Sequence, residues 1–140
     1  MFVSSLTTTG ALITMSKVFV LATALIFFVY GLLFFAMPLE TFGFVVDGSV
    51  TSSSAVIDLR ATYGGMSAAV GVILLLLASN VNTLRVAVVS VFLLMFGMAF
   101  GRSLGIYLDG GANAYMYGYL ILELAACAIA LLLMRIDAGK

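Results

Sequence analysis

The sequence predicts an all-α integral membrane protein, a four-helix bundle with both ends on the cytoplasmic side. Three observations carry that prediction. Hydrophobic residues make up 64% of the chain and charged residues 9%, so a water-soluble globule would expose more apolar surface than water tolerates. The apolar residues gather in four runs, each close to the ~20 residues that cross the hydrocarbon core as a helix. Lysine and arginine collect mostly at one set of run ends, which orients the bundle.

Taken in order, residues 1–17 are rich in Ser and Thr and end at Lys17, and they read as a loose cytoplasmic tail. Residues 18–37 form the first span, uncharged throughout. It is too long for a signal-peptide core, and no small-residue cleavage site precedes Pro38 and Glu40. Residues 38–56, with Gly43, Gly48 and the Ser/Thr cluster at 49–54, read as an irregular surface connection. The second span covers 57–79 and the third 84–106, joined only by residues 80–83, so the two form an antiparallel hairpin. The fourth span covers 114–134, and residues 135–140 are a second cytoplasmic tail. Residues 18–134 therefore make one domain, which is what 140 residues allow.

With the N-terminus inside, Lys17, Arg85, Arg135 and Lys140 lie on the cytoplasmic side. The opposite side holds Glu40, Asp47, Asp58 and Asp109, with Arg60 and Arg102 as its basic residues. This bias sets an N-in, C-in topology.

Composition also removes whole classes of function. Six basic residues balance six acidic ones, so no electrostatic footprint for nucleic acid exists. The chain has no histidine and a single cysteine, Cys127. Histidine-ligated haem, zinc, iron–sulfur and di-iron sites lack their ligand sets, and neither metal nor cofactor is expected. A histidine-activated serine or cysteine nucleophile is likewise excluded. The groups left for acid–base chemistry are Glu123, Asp58, Asp109 and the tyrosines, and an enzyme ranks last among the readings.

Glu123 is the most informative position. It stands about ten residues into the fourth span, roughly 15 Å deep and near the middle of a ~30 Å core. An ionised carboxylate there costs on the order of 2.5–3.5 kcal/mol on insertion scales, so it must be protonated, paired, or turned to a wet cavity. Two arginines are available. Arg102 follows Arg85 by seventeen residues, which puts it roughly 25 Å along the third span, inside the outer boundary. Arg60 opens the second span on the same side and can also point inward. Either guanidinium can hold a carboxylate or phosphate bidentately while keeping its charge.

Tyrosines share that half. Tyr115, Tyr119, Glu123 and Cys127 are spaced by four and form one stripe on the fourth span. Arg60 and Tyr63 share a face of the second. With Asn113 and Tyr107 these groups are expected to line a polar pocket opening to the outer leaflet. An interfacial aromatic belt is the competing account of Tyr107, Tyr115 and Tyr117, and small-residue packing that of Cys127.

Glycines give the packing logic. Gly97, Gly101 and Gly105 make a small-xxx-small ridge on the third span. Gly64, Ala68 and Gly71, beside Gly65 and Ala69, make a similar face on the second. The two are expected to meet inside the hairpin, the alternative being that the third-span ridge serves a homo-oligomer.

The motifs R-A-T-Y-G-G at 60–65 and G-R-S-L-G at 101–105, followed by Leu108-Asp109-Gly110, resemble a family of small bacterial four-helix membrane proteins, the domain of unknown function DUF4345. The resemblance covers roughly residues 18–134. It implies the four-helix fold and a multi-pass place in the bacterial inner membrane, and it carries over no activity and no catalytic residue. Three functions stay open from the residues. One is the binding of a lipid, quinone or other amphipathic molecule, its head group at Arg60 and Arg102. Another is a small transporter with Glu123 as coupling carboxylate. The last is a non-catalytic accessory subunit that docks on a larger membrane complex.

Overall fold

The computed structural model describes residues 2–138, with side chains described from 10 to 136. Lys140, one of the cations used to orient the bundle, lies outside the described residues. The chain forms α1 (Phe2–Ala36), α2 (Pro38–Val46), α3 (Ser53–Ser79), α4 (Val81–Asp109) and α5 (Ala114–Ala138). Four of these helices contain stretches long and apolar enough to cross a membrane: Gly10–Ala36, Ser53–Ser79, Val81–Asp109 and Ala114–Ile136. The molecule is thus an all-helical membrane protein with four candidate spans.

The bundle is inverted relative to a soluble protein. Leu25, Ile26, Leu76, Leu93, Phe100, Ile121 and Leu122 are each more than 60% exposed, because hydrocarbon, not water, is the solvent for those faces. The buried core is built of smaller residues. Val20, Ala24, Leu74, Ala78, Ala87, Val88, Val91, Ala130 and Leu133 cluster in the half of the bundle nearest the α3–α4 turn. Alanine and valine there let four backbones approach closely, which is the source of helix adhesion when lipid is as apolar as the interior.

Two segments differ from the sequence reading. The stretch expected to be a loose tail is helical from Phe2 onward and continuous with the first span. Threonine hydroxyls that would favour coil elsewhere can satisfy themselves on the preceding turn, as Thr14 Oγ1 does on Gly10 O at 3.0 Å. The expected irregular connection 38–56 contains α2. Its signals are a proline at the first helical position and Glu40 in the first turn, both favourable at a helix start. α2 ends at Asp47 in the left-handed conformation (φ 57°), whose N–H bonds to Gly43 O.

The α3–α4 turn is as tight as expected. Asn80 caps α4 by accepting from Asn82 N at 2.9 Å, and Thr83 Oγ1 donates back to Leu77 O at 2.6 Å. Between Ser53–Asp58 and Ser67–Ser79 the hydrogen bonding of α3 widens to a π-helix over Leu59–Met66. This segment carries Gly64 and Gly65, the residue type with the weakest ordinary helical preference outside proline.

The glycine faces meet other partners than expected. Gly64, Ala68 and Gly71 pack against α1, not α4. A Cβ on Gly31 of α1 would stand 2.5 Å from Ala68 N, and one on Gly71 would stand 2.7 Å from Ala24 O. Gly31 therefore belongs to the packing face, although the sequence pattern did not single it out. A Cβ on Gly97 or Gly101 would meet nothing within 4 Å, and one on Gly105 would meet only the Asp109 carboxylate at 3.8 Å. The α4 ridge faces away from α3. Replacing Gly31 or Gly71 with alanine is expected to destabilise the bundle by about 1–3 kcal/mol through overpacking, whereas Gly97→Ala is expected to be neutral. Thermal unfolding in detergent separates the two outcomes.

Candidate functional site

The half of the bundle farther from the α3–α4 turn is built around one ion pair. Arg102 on α4 and Glu123 on α5 face each other, with Arg102 Nη2 donating to Glu123 Oε1 at 2.7 Å and Nε donating to Oε1 at 3.2 Å and Oε2 at 3.1 Å. Glu123 is 4% exposed. Such burial of an acid is tolerated because the guanidinium fork matches both carboxylate oxygens. The arginine reaches inward from nearer the helix end, as its depth along the third span predicts.

The remaining contacts of Arg102 come from α5. Its guanidinium lies over the Tyr119 ring, 5.2 Å from the centroid, a cation–π arrangement. Its Nη1 donates to Met116 Sδ at 3.0 Å, and a thioether is a weak acceptor. Met116, Tyr119 and Glu123 thus bind one side chain from successive turns of the same helix face.

Tyr30 of α1 comes within electrostatic range of Arg102, Tyr119 and Tyr63. It packs on Phe34 (5.0 Å, 51°), which stacks in turn on Tyr63 (5.1 Å, 27°). Sequence reading missed Tyr30, because nothing distinguishes it from an aromatic lipid-facing residue of an uncharged span. Met116 was missed as well, although it stands seven residues before Glu123, on the same face.

Three residues expected at the site do other work. Arg60 does not approach Glu123; its Nη1 donates to Phe35 O near the C-terminus of α1. The helix ends one residue on because Pro38 brings no N–H to the preceding turn, and a cation there satisfies a terminal carbonyl and the helix dipole. Tyr63 packs on Phe34, with no hydrogen bond to Arg102 or Glu123 among the described residues. Tyr115 packs on Phe44 of α2 (4.9 Å, 48°).

Asn113 is at the site's edge in a structural role. Its Oδ1 accepts from Met116 N at 3.0 Å, capping α5, and its Nδ2 donates to Val45 O at 3.2 Å. That second bond ties α2 to the start of α5. Cys127 is buried, its Sγ 3.9 Å from Phe92 O, in keeping with a packing residue. Among the described residues no buried side-chain nitrogen or oxygen lacks a partner, and no group of three metal-type ligands is present.

Above the ion pair lies a recess of about 390 Å³. α2 supplies Val46, with Asp47 at its end; α4 supplies Arg102, Gly105 and Asp109; the connection to α5 supplies Gly110, Gly111 and Ala112. Gly110 and Gly111 both have positive φ (65° and 61°), a conformation that glycine adopts without strain. The recess falls in the ~300–1,000 Å³ range of small-molecule sites. It opens at the ends of α4 and α2.

Truncating Glu123 to alanine leaves a guanidinium uncompensated in a largely apolar setting. The expected loss is about 3–5 kcal/mol, with most of it recovered in an Arg102→Leu/Glu123→Leu double replacement. A double-mutant cycle on unfolding in detergent measures the coupling.

Comparison with curated proteins and with solved structures gives no match. A family model, described as a domain of unknown function, matches residues 15–134, and that stretch includes every residue of the Arg102–Glu123 site. The chain therefore belongs to the DUF4345 family.

Proposed function

We propose that the protein is a membrane-embedded binding protein that seats the head group of a lipid, quinone or other amphipathic molecule in the recess over Arg102. The observation that carries this reading is that Arg102 and Met116 line a 390 Å³ recess while Arg102 Nη1 has, among the described residues, a thioether as its hydrogen-bond partner. Nε and Nη2 are committed to Glu123, so the fork is fixed in place while Nη1 is free to exchange sulfur for a stronger oxygen acceptor. Exposed apolar faces flanking the recess, including Leu104, Leu108 and Phe44, suit the acyl or isoprenoid portion of such a ligand. The head-group site is narrower than sequence reading expected, since Arg60 is engaged at the end of α1.

In this reading the protein sits in the bacterial cytoplasmic membrane with both termini inside, as the distribution of Lys17, Arg85 and Arg135 favours. The recess then faces the outer leaflet. The transporter alternative would require Glu123 to give up Arg102 in every cycle, and three hydrogen bonds oppose that. A second reading has one observation in its favour. The Gly97, Gly101 and Gly105 ridge is open along α4, which supports self-association or docking on a larger membrane complex through that face.

Native mass spectrometry of protein extracted from membranes tests the binding reading. The unaltered chain is expected to retain a small amphipathic molecule. An Arg102→Gln/Glu123→Gln pair, which removes both charges together, is expected to lose retention by roughly tenfold, the worth of one charge-assisted hydrogen bond. Equal retention by both proteins would refute the site.

A further inference from the structure

The recess carries both signs of charge, and this selects among head groups. The selection rests on the binding reading above and is set at the rim. Asp109 ends α4, and its Oδ2 lies 3.8 Å from the position a Cβ on Gly105 would take. The carboxylate is thus folded back along α4 beside Gly105, in space left open because residue 105 has no side chain. Asp47 faces the same recess from the end of α2, fixed by its left-handed backbone and the N–H bond to Gly43 O. Neither carboxylate has a hydrogen-bond or ion-pair partner among the described residues.

An anion alone fits this arrangement poorly. It would gain Arg102 Nη1 but meet two carboxylates at the mouth. A simple cation would gain the carboxylates but face the guanidinium. A head group bearing one charge of each sign, a few bonds apart, satisfies both.

The chemistry of the cationic end follows from what surrounds it. Quaternary ammonium groups are recognised by aromatic cages, and here the Tyr119 ring is already covered by Arg102 while Tyr107 is 84% exposed. Carboxylates without an aromatic cage suit a primary ammonium, which offers three N–H donors. We propose that the recess binds a zwitterionic head group joining a phosphoester to a primary ammonium, the phosphate at Arg102 Nη1 and the ammonium at Asp109 and Asp47. The same chemistry is offered by a phosphatidylethanolamine lipid and by free phosphoethanolamine.

The test uses the full chain in detergent, titrated with phosphatidylethanolamine, phosphatidylcholine and phosphatidylglycerol of identical acyl chains and read by native mass spectrometry. Phosphatidylethanolamine is expected to be retained about fivefold better than either of the others, the scale of one partly exposed ion pair. In Asp47→Asn/Asp109→Asn that preference is expected to fall to near one as phosphatidylglycerol retention rises. Thermal unfolding of this variant serves as the folding control, both side chains being exposed and unpartnered among the described residues. Competition by free phosphoethanolamine assigns the site to a soluble ligand, and its failure to compete assigns it to the lipid. Equal retention of phosphatidylethanolamine and phosphatidylglycerol, or a preference that survives the double replacement, overturns the proposal. If lipid retention then still depends on Arg102, only the zwitterion assignment falls; if it does not, the binding reading falls with it.

Discussion

The Arg102–Glu123 pair is the constraint around which the half of the molecule farther from the α3–α4 turn is arranged. A carboxylate near the centre of a bilayer must be protonated, turned to water or, as here, accompanied by an opposite charge. Satisfying that demand requires α4 and α5 to be neighbours in one register, so that an arginine from nearer the membrane surface can reach down to an acid on the next helix. Met116 and Tyr119 follow from the same register, since they lie on the turns of α5 that the guanidinium passes.

The half nearer the α3–α4 turn obeys a different rule. There the helices adhere through a core of alanine, valine and leucine. α1 and α3 come closest where Gly31 and Gly71 admit a neighbouring backbone. Close backbone packing thus runs along the α1–α3 seam into both halves, while charge compensation joins α4 to α5 in one of them. The recess beside the ion pair lies in that same half.

The four spans and the need of Glu123 for an arginine partner were legible in the sequence because both rest on strong, single-residue energetics, while the choice between Arg102 and Arg60 stayed open. Twenty apolar residues have few alternatives to a membrane helix, and a lone midplane acid has few alternatives to an arginine at matching depth. The partners of the glycine faces were not legible. A small-xxx-small pattern says that something approaches closely and not which helix does so, and Gly64, Ala68 and Gly71 chose α1 over α4. Arg60 was misread for a related reason. Its reach allowed two anionic partners, Glu123 and the carbonyl end of α1, and the second became visible only once Phe35 O was known to lie beside it. α2 was hidden by Gly43 and Gly48, although Pro38 followed by Glu40 is a fair helix-start signal in a chain with one proline.

The widened turn of α3 lies along its seam with α1. An i→i+5 segment takes up more residues per revolution than the ~3.6 of an α-helix, so it re-phases everything on one side of it relative to the other by about 100° for each additional residue. Within Leu59–Met66, Arg60 donates to Phe35 O and Gly64 packs on the same stretch of α1; past it, Ala68 and Gly71 continue that seam. Restoring a regular turn there would rotate Arg60 relative to Gly71, so these two contacts with α1 are coupled through the phase of one segment.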